Sequence, residues 1–127
     1  MNSDSGNAQT FEELWIWIEA RKLVKDVYSD VGRGNPSEYD FGFRNQNQRA
    51  AVSIMNTIAE GFERSTPGDF IRFLDIAKAS CGEVRSMYYT AEDLGYVTAE
   101  ISVERKKSSQ KNISRYRLVT TTSQIES

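Results

Sequence analysis

The 127-residue sequence predicts an all-α protein, an up-down-up-down four-helix bundle. Three observations carry that expectation. Apolar residues recur at spacings of three and four through most of the chain. Only 2 Pro and 8 Gly are present, too few for a turn-rich all-β fold. The breakers that do occur fall in clusters, and these divide the chain into segments of helical length. A chain of this size buries roughly two-thirds of its unfolded surface when compact, so a single domain stands without a metal or a disulfide.

The elements follow in order. Residues 1–10 are small and polar and are expected to be disordered. A first helix is expected over about 11–31, with Trp17, Ala20, Val24, Val27 and Val31 on its apolar stripe and Ile16 and Leu23 flanking it. It ends at Gly32-Arg33-Gly34-Asn35-Pro36. A second is expected over about 39–64, with Ala51, Met55, Ile58 and Phe62 in line, Ile54 beside them, and polar first turns through 44–48. The third, about 67–94, has the clearest start: Thr66 as a hydroxyl N-cap, Pro67 at the first helical position and Asp69 three residues after the cap. Its stripe, Phe70, Leu74, Ala77, Cys81, Val84, Tyr88 and Ala91, alternates four and three, the spacing of a heptad seam. Gly95 is placed to end it. The fourth, about 98–118, is sparse: no apolar residue lies between Glu104 and Asn112, leaving Ile101, Val103, Ile113, Tyr116 and Leu118 as anchors. Residues 119–127 are expected to be a frayed tail. Helices of this length span roughly 30–42 Å, and short connections make sequential helices antiparallel neighbours.

Nothing in MNSDSGNAQT at the N-terminus suits a secretory signal, and no apolar run is long enough to span a membrane. One Cys excludes an intrachain disulfide and fits a reducing compartment, so a cytoplasmic location is expected. The net charge of −2 conceals an asymmetry. Residues 1–104 hold 10 basic and 17 acidic side chains, whereas residues 105–127 hold 6 and 1. An acidic body with a basic C-terminal segment suits a polyanion partner, or self-association of tail and body; the plain alternative is a solvated helix face.

The sequence has no His, which removes the commonest general base and metal ligand together. The di-iron sites of helical bundles use Glu and Glu-x-x-His sets that cannot be assembled here. No metal and no cofactor is expected, and Glu60 and Glu83 are expected to pair with Arg49, Arg64, Arg72 or Arg85, within or between subunits. Cys81 lies on the third stripe and reads as a small core residue. Ser53 and Ser80 lack an activating imidazole and read as close-packing residues. Gly61 within a helix costs about 1 kcal/mol against Ala, a cost that a close backbone approach or a helix end would justify. Gly32 and Gly34 are too isolated for a phosphate-binding loop. Trp15 and Phe43 are candidates for an exposed apolar patch covered on oligomerisation, with partial burial in the monomer as the alternative. Arg105, Lys106, Lys107, Lys111, Arg115 and Arg117 fall within 13 residues, and 107, 111 and 115 share a helical face that can track phosphates.

Residues 49–64, RAAVSIMNTIAEGFER, and 70–85, FIRFLDIAKASCGEVR, followed by DLGYV at 93–97, resemble the 23S ribosomal RNA intervening-sequence protein family, as does WIWIEARKLVKDVY in the first helix. The resemblance covers about residues 11–100. It implies a small bacterial four-helix bundle that assembles as a homopentamer. The chain departs from the family pattern at Met55, where Pro is usual, at Thr57, where Asn is usual, and in the polar stretch 104–112. The function expected on these grounds is non-enzymatic: a homo-oligomer that binds RNA or DNA through repeated basic surfaces, with no membrane and no small-molecule substrate. The alternative is an oligomeric protein-interaction scaffold that binds no nucleic acid.

Overall fold

The structure is a computed structural model and describes residues 8–109 and 113. Those residues form four α-helices and no strand: α1 (Trp15–Val31), α2 (Phe41–Phe62), α3 (Pro67–Asp93) and α4 (Ala99–Ser108), preceded by a single 3-10 turn, Phe11–Glu13. Each helix packs on the next, and α4 also meets α1, so the four form a closed ring of neighbours with α1 and α3 across the diagonal. The α2–α3 interface is the most extensive. No described helix is long and apolar enough to cross a membrane.

Side-chain caps set three of the four helix starts. The side chains of Asp40, Thr66 and Thr98 accept from the backbone N–H of Phe43, Asp69 and Ile101 at 3.1–3.2 Å, each satisfying a donor that the first turn would otherwise leave open. The first helix begins later than the sequence suggests, because Leu14 leaves helical geometry and closes the 3-10 turn through its N–H to Phe11 O. The expected disorder does not extend to residues 8–10. Ala8 packs against the core, and Gln9 N–H donates to Glu13 Oε1 at 3.0 Å. Gly95 ends α3 with φ of +74°, and the N–H groups of Tyr96 and Gly95 close on Ala91 O and Glu92 O. That is a Schellman closure, which a residue with a Cβ would strain.

The seven-residue stripe read for the third helix is buried throughout, with Leu74, Ala77, Val84, Tyr88 and Ala91 fully inaccessible. The first two helices are rotated slightly from expectation. On α1 the buried line is Ile16, Ala20, Leu23, Val27 and Asp30, while Trp17 and Val24 are only partly covered. On α2 it runs through Phe43, Asn47, Ala50, Ala51, Ile54, Ile58 and Gly61, and Met55 and Phe62 sit at its margin. A helical stripe is about 100° wide, and counting apolar residues alone locates its centre poorly when polar residues lie inside it. The described part of the fourth helix ends at Ser108; its expected continuation to 118 and the tail 119–127 lie outside the described residues, apart from a buried Ile113.

Gly61 answers a close approach. A Cβ there would lie 2.5 Å from Phe73 Cβ and 3.2 Å from the rings of Phe70 and Phe73. Ala has the higher helix propensity by about 1 kcal/mol, yet overpacking of this kind costs about 1–3 kcal/mol. Gly61→Ala is therefore expected to lower the urea-unfolding free energy, although propensity alone predicts a gain.

Candidate polar and basic site around the fourth helix

α4 has no apolar stripe with which to dock. Its inward side carries Ser102, with Ile101, Arg105 and Lys106 half-buried and Ser109 and Ile113 buried beyond it, and the side-chain bonds that tie it down come from the polar members. Arg105 reaches across to α1, where its Nε donates to Asp30 Oδ2 at 2.7 Å and its Nη2 to Asp30 Oδ1 at 3.2 Å. The hydroxyl of Tyr88 on α3 donates to the same Oδ2 at 2.7 Å. Asp26, one turn earlier on α1, stands 3.8 Å from Arg105 Nη1. The side chains of Asp30 and Arg105 are 6% and 15% exposed, so this is a nearly dry two-pronged pair. Ser102 Oγ adds a bond to Tyr88 O at 3.2 Å, which the small side chain permits by letting the two helices approach. One turn outward, Lys106 Nζ lies 3.6 Å from Glu92 and 3.6 Å from the centre of the Tyr89 ring.

Burial, the hydrogen bond to Asp30 and the charge of Asp30 together push the Tyr88 hydroxyl well above the ordinary tyrosine range, against the opposing effect of Arg105. The bond to Asp30 raises Arg105 as well, against the cost of its burial. A second tyrosine–carboxylate bond, Tyr96 hydroxyl to Asp40 Oδ2 at 2.6 Å, ties the α3–α4 connection to the start of α2.

The basic residues singled out in the sequence thus fare differently. Arg105 and Lys106 are engaged by the protein's own carboxylates and are not free to face a ligand. Lys107 is exposed. Lys111, Arg115 and Arg117 lie outside the described residues. Phe43 is corrected: it is 8% exposed and packs edge-on against Tyr96, because the start of α2 turns it under the α3–α4 connection. Trp15 is partly buried against the core.

Within the chain, no pairing of Glu60 or Glu83 with Arg49, Arg64, Arg72 or Arg85 is found among the described residues. Both are exposed, so neither requires a partner, and Arg49 is exposed as well. Arg72 instead pairs with Asp69 at 3.5 Å, and the guanidinium carbons of Arg64 and Arg72 lie 4.8 and 5.0 Å from the centre of the Phe73 ring beside Gly61.

Cys81 and Ser80 are buried and Ser53 is half-buried between the helices. Burial pushes the Cys81 thiol up to about 12, against a small lowering by Arg85, and the thiolate is the reactive form. Beside Cys81 is a cavity of about 20 Å³, bounded also by Ile16, Leu23, Ile54 and Ile113, with room for about one water. Ser53 and Ser80 satisfy each other across α2 and α3 at 3.0 Å. No cluster of three or more potential metal ligands occurs among the described residues.

Asp30 and the polar role of Tyr88 were missed by reading apolar periodicity. The signal was present: 16, 20, 23, 27 and 30 alternate four and three, so Asp30 falls on the buried line and requires a counter-charge. Asn47 was missed in the same way. It is fully buried on α2, and its amide has no hydrogen-bond partner among the described residues.

Arg105→Met is expected to destabilise the fold toward the lower end of about 3–5 kcal/mol, since it strands Asp30 without a counter-charge. Lys106→Met should cost about 1 kcal/mol or less, as for a pair at the rim; urea unfolding compares the two. Tyr88 gives a pH signature. Tyrosine ordinarily ionises near pH 10, so above about pH 10 the unfolded chain releases a proton that folded Tyr88 retains. Its contribution is complete below that pH and is lost as pH rises. Tyr88→Phe should therefore show a shallower alkaline loss of stability than the unaltered protein, and equal slopes would refute the assignment.

Comparison with known proteins gives a consistent placement. No curated protein matches the chain. A family model does, over residues 12–116, which takes in all four helices and the Asp30–Tyr88–Arg105 cluster. The chain belongs to the 23S rRNA-intervening sequence protein family.

Proposed function

We propose that this protein is a non-enzymatic, self-associating helical bundle that works in the cytoplasm through its surfaces. The observation that carries the reading is a group of large apolar side chains at the end of the bundle where α1 and α3 finish and α2 begins. Tyr39 is 79% exposed and Phe41 60%, their rings edge to face with centroids 6.5 Å apart, and Leu94 is also exposed at this end. Solvent-facing aromatics gathered in this way suit burial against a second copy. They take the place of Trp15 and Phe43 in the oligomer reading. The non-enzymatic part is supported by a sequence without His and by a buried, protonated Cys81. Sedimentation equilibrium tests the assembly. A multiple of the monomer mass is expected, with five subunits implied by the family resemblance. Tyr39→Ser with Phe41→Ser should shift it toward monomer with little change in fold stability, while a monomeric unaltered protein would overturn the reading.

A second reading gives such an assembly a ligand: RNA or DNA bound through the C-terminal basic segment by phosphate neutralisation, without base readout. It is favoured by the exposed Lys107 in the last turn of α4 and by Lys111, Arg115 and Arg117 following in sequence. Repetition on each subunit would add avidity. Binding to an RNA hairpin should weaken by orders of magnitude between about 50 and 200 mM salt. It should also vanish when Lys107, Lys111 and Arg115 are all replaced by Glu. No binding at the lower salt leaves the protein-interaction scaffold as the function of the assembly.

A further inference from the structure

Two faces on opposite sides of the bundle carry opposite charge. On α1 the outward line is Ile18, Arg21, Lys25 and Tyr28, with Lys22 beside it, all exposed. On α3 it is Ile76, Ala79, Glu83, Ser86, Thr90 and Asp93, also all exposed. Both lines step by three and four, so each is one continuous strip of helix surface. The α1 strip holds three cations and no anion, and the α3 strip holds two carboxylates and no cation. We propose that these faces meet in the assembly: the α1 face of one copy docks on the α3 face of the next. This rests on the self-association reading and assigns the surfaces that come together.

The bundle itself sets the register. α1 and α3 run in the same direction, as alternate helices of an up-down bundle do. Ile16, Ala20, Leu23 and Cys81 border one cavity, and Asp30 meets Tyr88, so the two helices are level along their length. Arg21 therefore stands at about the height of Glu83, and Ile18 at that of Ala79. Arg33, exposed just past the end of α1, stands at the height of Asp93. Copies placed side by side with their helices parallel bring these positions together. Arg21 and Lys25 then flank Glu83, Arg33 faces Asp93, and Ile18 lies over the small Ala79. At the end where α1 and α3 finish, the exposed Tyr28 and Leu94 continue the contact toward the apolar group around Tyr39 and Phe41.

The charges are available for such a contact. Lys22 pairs with Glu19 on its own helix at 3.3 Å, but Arg21 and Lys25 meet no carboxylate among the described residues. The guanidinium carbon of Arg21 lies 5.8 Å from the centre of the Trp17 ring, and such stacking leaves the N–H edge open. Asp26, also on α1, is turned to Arg105. Glu83 and Asp93 have no cation partner among the described residues. Lys78 falls on the flank of α3, about 100° round the helix from Ala79. Because α1 and α3 are diagonal, each copy offers a basic face to one neighbour and an acidic face to the other. That is the head-to-tail contact from which rings are built. A twofold contact through either face would set like charge against like.

The test is sedimentation equilibrium of full-chain charge variants at about 50 mM salt, where surface charge is little screened. Arg21→Glu with Lys25→Glu, and separately Glu83→Lys with Asp93→Lys, should each weaken association about a hundredfold or more, since like charges then face each other. All four changes in one chain should return it to within about tenfold of the unaltered protein, since exposed pairs are individually weak. Arg21→Glu and Lys25→Glu combined instead with Glu60→Lys and Glu63→Lys restore the net charge but not the facing pairs, and association should stay weak. All six positions are exposed, and circular dichroism checks that each variant is folded. Should a double change disrupt the fold, Lys25→Glu, Glu83→Lys and their combination decide. Association that ignores either reversal, or that returns equally with the α2 charges, would overturn the pairing of faces and leave self-association in place. An unaltered protein that stays monomeric would overturn both.

Discussion

The buried carboxylate of Asp30 is the constraint on which the arrangement of the fourth helix depends. A charge placed among Val27, Val31 and Tyr88 must be paired and hydrogen-bonded, or the fold bears the full cost of its desolvation. Tyr88 supplies a hydroxyl from α3, and Arg105 supplies the counter-charge from α4. Three helices are thereby joined at one carboxylate, including α1 and α3, which are otherwise diagonal. An apolar side chain at position 30 could have packed equally well and would not have chosen a partner. The charge specifies where α4 lies and which of its faces turns inward, as buried polar groups do when they fix register.

The rest of the bundle uses a different and less selective force. Along the α2–α3 interface, Leu74, Ala77, Val84 and Ile58 are removed from water completely, each large aliphatic side chain contributing about 1.5–3 kcal/mol. Gly61 lets Phe73 close against the backbone there, and Arg64 and Arg72 flank the ring of Phe73, itself nearly buried. This region has the composition of a fixed core. The α4 region combines small hydroxyls, ion pairs and a cation over a tyrosine ring, and of these the half-exposed Lys106–Glu92 pair responds most to salt, the nearly dry Asp30–Arg105 pair much less. One small protein thus contains a part held by area and a part held by charge, and the segment proposed to engage other molecules belongs to the second.

The four helices, the start of α3 at Thr66-Pro67 and its stop at Gly95 were legible in the sequence. Each follows from local chemistry: a hydroxyl cap, a fixed φ and a left-handed residue. The buried stripe of α3 was legible for the same reason, since seven apolar residues at alternating spacing leave only one face to bury. On α1 and α2, Asp30 and Asn47 lie within the buried face, and a reading that counts only apolar residues shifts the stripe toward Trp17, Val24 and Met55. The basic cluster was legible as a charge run but not as a structure. Its first two members pair with Asp30, 75 residues away, and with Glu92, and no local pattern reports such partners.

By itself, the sequence determined helix content, the boundaries that caps and breakers enforce, the heptad face of α3 and the separation of an acidic body from a basic end. Those properties depend on neighbours a few residues apart. Only the tertiary structure decided which cations are spent inside the protein, that Phe43 is covered while Tyr39 and Phe41 are not, and that Gly61 is needed by the approach of Phe73. These depend on which surfaces meet across the bundle, where burial turns a charge into a requirement for a partner.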